Sequence, residues 1–64
     1  MELEKLRHLL EHWIEHNEEH ILKYVEWAEK IKNERSDISR MIERSIEHFE
    51  AGNQVLKKAL EMLK

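Results

Sequence analysis

Apolar residues recur every three or four positions along nearly the whole chain, the spacing of helices that each bury one stripe. The first stripe consists of Leu3, Leu6, Leu10, Trp13, Asn17, His20, Tyr24, Trp27 and Ile31. The second consists of Ile38, Ile42, Ser45, Phe49, Gly52, Leu56, Leu60 and Leu63. Proline is absent and Glu, Lys, Leu and Arg are abundant, so helix propensity agrees with this spacing. The pattern predicts an all-α chain with helices at about 2–33 and 37–63.

A polar segment, 33–37, separates the two stripes. Asn33 is expected to end the first helix in a left-handed conformation, and Ser36 or Asp37 to cap the second. A connection this short makes the two helices antiparallel, so residues 1–64 are predicted to form one helical-hairpin domain. The apolar spacing continues through Gly52, which predicts one uninterrupted second helix.

Both apolar arcs are too wide for one neighbouring helix to cover, so two helices alone leave much of this surface in water. The simplest remedy is a homodimer with two-fold symmetry, which makes a four-helix bundle. The residues expected in the core or the dimer interface are Leu6, Leu10, Trp13, Tyr24, Trp27, Ile42, Phe49, Leu56 and Leu60.

Composition narrows the class of protein. A single core in a chain of 64 residues is marginal without a metal, a disulfide or oligomerisation, and cysteine is absent. No apolar run is long enough to span a membrane and no signal peptide is visible, so a cytoplasmic location is expected. The net charge of −3 disfavours nucleic acids and anionic membranes as partners.

Four of the five histidines, His8, His12, His16 and His20, are spaced by four on the first helix. Side chains at positions i and i+4 lie one above the other, so two imidazoles can reach one cation. Each step of four advances about 40° around the helix, so the row turns from solvent at His8 into the apolar arc at His20. Folding the chain at 33–37 places His48 nearly level with His20.

We therefore predict a transition-metal site formed by His16, His20 and His48, with His12 as a further candidate. Three neutral imidazoles with water or a carboxylate suit Zn²⁺, Ni²⁺, Cu²⁺ or Co²⁺. Glu15 and Glu19 are expected to orient the ligands by accepting a ring N–H. The sequence leaves open whether His48 comes from the same chain or from the dimer partner.

Asn17 lies in the middle of the apolar stripe and needs a partner, because a buried amide without one costs a few kcal/mol. We expect it to bond to Asn53, to His20 or to its own copy, and to order the layer that holds any ligands. The alternative interpretation is a polar layer of Asn17 and His20 that fixes helix register and binds nothing.

No catalytic constellation is evident. The string H-x-x-E-H of inverted zinc peptidases occurs three times in overlap, from His8 to His20, which indicates a repeated row of histidines rather than three active sites. The Glu-x-x-His signature of di-iron bundles does not occur. The chain is also too short to form a peptide-binding cleft, so we expect a protein that is not an enzyme.

The stretch Leu9–His20, followed by Tyr24 and Trp27-Ala28, resembles a family of short, uncharacterised archaeal and bacterial helical domains with the pattern L-L-x-H-W-x-E-H-N-x-E-H. The resemblance covers about the first 30 residues and implies transition-metal handling through His12, His16 and His20. The expected function is sensing, buffering or delivery of Zn, Ni, Cu or Co. The alternative is a metal-independent homodimerisation or adaptor module.

Overall fold

The computed structural model describes all 64 residues and consists of two helices. Helix α1 spans Glu2–Ile31 and helix α2 spans Ser36–Met62. They pack side by side as a hairpin with extents of 50 × 14 × 13 Å. The all-helical hairpin is confirmed, with helix bounds within two residues of the predicted ones. Helix α2 continues through Gly52 as predicted. Neither helix combines the length and the apolar character that crossing a membrane requires.

The turn differs from the prediction. Lys32, the C-cap of α1, is right-handed, and no residue has a positive φ, so the left-handed Asn33 is wrong. The backbone N–H groups of Glu34 and Arg35 instead donate to the carbonyl of Ile31, at 3.1 and 2.8 Å. This tight turn satisfies an end carbonyl without a left-handed residue.

The predicted cap of α2 is also wrong, because the N-cap residue is Arg35 and it makes no side-chain capping bond. Its guanidinium donates two hydrogen bonds to Asp37, from Nε at 3.1 Å and from Nη2 at 2.9 Å. The Arg35 bonds hold the pKa of Asp37 below its usual value, helped by the backbone N–H of Ile38. Both carboxylate oxygens of Asp37 therefore accept from Arg35, in a charge-assisted pair.

The core is a narrow seam between the two helices. Its buried residues on α1 are Leu10, Ile14, Ile21 and Ala28, and those on α2 are Ser39, Ile46 and Asn53. Ile14, Ile21 and Ala28 recur every seven residues, as do the three buried residues of α2. This spacing is typical of two helices whose axes cross at a small angle.

Two hydrogen bonds across the seam fix the register of the helices. The hydroxyl of Ser39 donates to the carbonyl of Ala28 at 2.7 Å, and Nδ2 of Asn53 donates to the carbonyl of Ile14 at 3.2 Å. The two pairs lie fourteen residues apart on each helix, about 21 Å along the hairpin. The two bonds therefore fix one register of the helices, both near the turn and toward the chain termini.

Candidate functional site

One broad side of the hairpin is apolar and uncovered. We call it the aromatic face and define it by Leu6, Trp13, His20, Tyr24, Trp27, Ile38, Ile42, Phe49, Gly52 and Leu56. None of these residues carries a fixed charge. Trp13 is 43% exposed, Trp27 56% and Phe49 50%, so the largest side chains of the chain are about half in water. Of the predicted core and interface residues only Leu10 is buried within one chain.

The opposite side of the hairpin, which we call the charged face, carries carboxylates and lysines from both helices. Glu18 of α1 pairs with Lys57 of α2, with Nζ and Oε1 3.0 Å apart. Further charged groups on this side are Glu11, Glu15, Glu29, Glu43, Glu47, Glu50 and Glu61. Such side chains interact well with water, so this face has little to gain from being covered.

A groove of about 400 Å³ opens in the middle of the aromatic face. It is lined by Asn17, His20, Ile21, Tyr24, His48, Phe49, Gly52, Asn53 and Leu56. The groove exists partly because Gly52 has no side chain, and a Cβ built there would meet nothing within 4 Å. No side chain of the same hairpin fills the space beside Gly52.

The floor of the groove is polar. Nδ2 of Asn17 donates to Oδ1 of Asn53 at 3.0 Å, and Asn53 in turn donates to the backbone of α1. The prediction that Asn17 bonds to Asn53, one of three expected partners, is confirmed. Asn53 is 4% exposed, so this network satisfies a buried amide that is otherwise costly.

The histidines of α1 form a row of neighbouring rings. Ring centroids are 5.4 Å apart for His12 and His16, and 5.2 Å apart for His16 and His20. The row continues from His20 to Tyr24 at 6.3 Å, and Tyr24 lies 5.4 Å from Phe49 on α2. Aromatic rings thus cross from the outer edge of α1 to the second helix.

The predicted metal ligands come together only in part. His20 and His48 line the same groove, while His16 adjoins His20 without lining the groove. No three His, Asp or Glu side chains of one chain lie close enough to hold a metal ion. No hydrogen bond or ion pair joins Glu15 or Glu19 to a histidine.

One buried polar contact was not foreseen. Ser39 is 3% exposed and satisfies its hydroxyl on a backbone carbonyl, although it lies one residue off the predicted stripe. The sequence does contain an indication of its burial, because Ser39, Ile46 and Asn53 are spaced by seven residues and form a stripe beside the predicted stripe of α2. This additional stripe is the part of α2 that lies in the seam, whereas the predicted stripe contributes to the aromatic face.

Comparison with known proteins identifies relatives of this chain. The model of the domain of unknown function DUF8180 matches residues 6–63. An uncharacterised protein of Archaeoglobus fulgidus is 38% identical over 61 residues, which is 95% of this chain and 98% of that protein. No solved structure gives a significant match. The resemblance to a small uncharacterised domain family is confirmed, while neither relative's description mentions a metal.

Proposed function

The chain belongs to the DUF8180 family, and we propose that it is a self-association module in which two hairpins pack through their aromatic faces into a four-helix bundle. The observation that carries this proposal is the half-exposure of Trp13, Trp27 and Phe49 on one uncharged face. Soluble monomers rarely leave so large a contiguous apolar patch in water.

The energetics of the single hairpin favour association. Only five hydrophobic residues are buried within the chain. Fully burying a large apolar side chain contributes about 1.5–3 kcal/mol, so covering the three aromatic residues adds several kcal/mol. A small chain with a narrow seam gains stability from such additional burial.

A second copy is the occupant that fits this face. The hairpin is 50 Å long and 14 Å wide, and a face of that size supplies roughly the 800 Å² that each partner contributes to a standard interface. A second copy presents a surface of the same length that is also uncharged, and two-fold symmetry closes the assembly at two chains. The charged face then stays in water on the outside of the dimer.

Sedimentation equilibrium in the presence of a chelator tests this proposal. We expect a dimer that dissociates on dilution. Phe49→Glu places a carboxylate in the middle of the aromatic face, so we expect a monomer with unchanged helical content. Leu22→Glu adds the same charge on the charged face, where Leu22 is 69% exposed, and should remain a dimer. A wild-type monomer at all concentrations, or a Phe49→Glu dimer as tight as wild type, would overturn the proposal.

A second candidate function is binding of Zn²⁺, Ni²⁺, Cu²⁺ or Co²⁺ for sensing, buffering or delivery. The ring spacing of 5.2 Å between His16 and His20 favours it, because imidazoles one turn apart on an exposed helix surface can share one cation. This pair is compatible with the self-association module, since both histidines lie at or beside the proposed interface. One chain alone, however, provides no third ligand at this pair.

A further inference from the structure

We propose that two copies of the chain hold transition-metal ions jointly: His16 and His20 of one hairpin and His48 of the second copy bind one ion. Two-fold symmetry then gives two equivalent sites per dimer. This inference rests on the proposed self-association, and it names the ligand class and the chain that completes the site.

The first part of the site is present within one hairpin. His16 and His20 are both exposed, one helical turn apart, with ring centroids separated by 5.2 Å. Neither ring is engaged in a hydrogen bond or an ion pair that a metal ion would have to break. Two imidazoles alone make a weak, open site, and a zinc-type centre needs three or four ligands.

The third imidazole does not come from the same chain. His48 lines the central groove with His20, yet no three such groups of one chain converge. The reason is the width of the hairpin. At 100° per residue, His16 lies about 40° beyond His20 on the side of α1 that points away from α2. His48 similarly lies about 100° from Phe49, on the side of α2 that points away from α1.

The same geometry brings the two groups together between chains. A two-fold axis parallel to the helices places α1 of each copy over α2 of the other, antiparallel to it, as neighbours run in an up-down bundle. The outer edge of α1, with His16, then faces the outer edge of the second copy's α2, with His48.

The levels along the bundle also agree. The Ala28–Ser39 and Ile14–Asn53 contacts share one register, which sets His48 within one residue of the level of His20, or about 1.5 Å along the axis. A two-fold axis parallel to the helices leaves every residue at its own level. His48 of the second copy therefore lies at the same level along the bundle axis as the His16–His20 pair.

The chemistry of three imidazoles selects the ion. Neutral imidazole nitrogen suits Zn²⁺, Ni²⁺, Co²⁺ and Cu²⁺, with water completing the coordination, whereas Mg²⁺ and Ca²⁺ prefer oxygen. Because each ion bridges two chains, it binds the dimer more tightly than the monomer. By linkage, metal must tighten self-association by the same factor.

Complementation between two variants tests the sharing of the site, with Zn²⁺ as the probe. One variant is His48→Ala, and the other is the double change His16→Ala with His20→Ala. The substituted rings are exposed in the single hairpin, so we expect both variants to fold, and both retain Trp13, Trp27 and Phe49, so we expect them to dimerise. Wild type should bind one Zn²⁺ per chain by calorimetry, and each variant should bind at least tenfold more weakly. His8→Ala, on the same helix, is the matched control and should bind as wild type.

The equimolar mixture of the two variants tests whether the ligands of one site come from two chains. A mixed dimer contains one intact site, made of His16 and His20 from one chain and His48 from the other. Random pairing should restore roughly a quarter of the wild-type sites. No recovery in the mixture, or wild-type affinity in His48→Ala, would overturn the shared site. A metal-free dimer without zinc binding would contradict this inference alone, while a metal-free monomer would contradict the self-association module.

Discussion

The two broad faces of the hairpin are built from the same helices, yet they differ in nearly every physical property. The aromatic face has half-exposed tryptophans and a central groove, and none of its defining residues carries a fixed charge, although the ammonium of Lys30 lies 4.8 Å from the centroid of the Trp27 ring. The charged face has carboxylates, lysines and the Glu18–Lys57 ion pair, whose side chains are 51% and 43% exposed. The narrow seam holds the hairpin together, and only the aromatic face has the properties that the proposed self-association requires.

The free energies of burial and of ion pairing support this difference between the two faces. An exposed ion pair such as Glu18–Lys57 contributes at most about 1 kcal/mol, and salt screens it further. Burial of a single large aromatic side chain contributes about 1.5–3 kcal/mol. Trp13, Trp27 and Phe49 are already about half buried, so covering each would add about half of that amount, and the three together still outweigh the ion pair. The proposed assembly through the aromatic face therefore rests on burial rather than on charge.

The largest effect on stability is expected in the seam, beneath both faces. Ile21 is 9% exposed and Leu22, its neighbour, is 69% exposed. Ile21→Ala should lower the free energy of unfolding by about 2–4 kcal/mol, because it removes buried methyl groups and leaves a cavity. Leu22→Ala, the matched control, should change it by less than about 0.5 kcal/mol. Urea denaturation monitored by circular dichroism measures both, and equal losses would contradict the narrow seam.

The polar floor of the groove should be the next most sensitive element. Asn53→Ala leaves Asn17 without its side-chain partner and removes the bond across the seam to the carbonyl of Ile14, so we expect a loss of about 1–3 kcal/mol in the free energy of unfolding. Replacing Asn17 and Asn53 together by leucine should recover much of that loss, because no polar group is then left unpaired. A double variant less stable than Asn53→Ala would show that the amides do more than satisfy each other.

A substitution at Gly52 tests whether the space beside this residue is required within one hairpin or only at the proposed interface. Gly52→Ala should stabilise the isolated hairpin by up to about 1 kcal/mol, since alanine favours helix and the new Cβ meets nothing within 4 Å. The measurement is thermal unfolding in the Phe49→Glu background, where the hairpin is expected to be monomeric. Destabilisation in that background would mean that the space beside Gly52 is needed within one chain.

The smallest effect is expected at the turn, away from both faces. Arg35 lowers the pKa of Asp37 below 3.8, so the pair stabilises the folded state above that pH and the contribution is lost as the pH falls through the lowered pKa. Asp37→Asn should abolish this part of the acid sensitivity and lower the stability at neutral pH only by the small contribution of an exposed ion pair, because the variant lacks the pair at every pH. Melting temperatures between pH 2 and pH 7 provide the check, and an unaltered acid profile would exclude a role for the pair.

Helix spacing was sufficient to predict the fold and one contact of the site. Periodicity fixes where helices run, and the need to satisfy Asn17 pointed to Asn53 at the same level. The turn was not predictable from capping preferences, because the Arg35 guanidinium competes for Asp37. The wide apolar arc also could not be divided from sequence: Leu10 in the seam and Trp27 on the aromatic face were predicted together as core or interface residues, yet Leu10 is 5% exposed and Trp27 56%.

The histidines show a second limit on what can be predicted from the sequence. The row on α1 follows from spacing alone, and the structure contains it as neighbouring rings. In the proposed dimer, the position of His48 relative to that row would depend on how two chains meet, which is not encoded in the spacing along one helix. The proposed site between chains is therefore the part of the account that periodicity is least able to predict.

Protection of the two tryptophans is the most direct test of the aromatic face as the interface between copies. Trp13 and Trp27 are the only tryptophans, and both lie on that face. Acrylamide quenching of their fluorescence should fall as protein concentration rises through the dimer dissociation constant, with blue-shifted emission, and should stay high in Phe49→Glu. Wild-type tryptophans as accessible as those of Phe49→Glu, in a sample that sedimentation shows to be dimeric, would contradict the account.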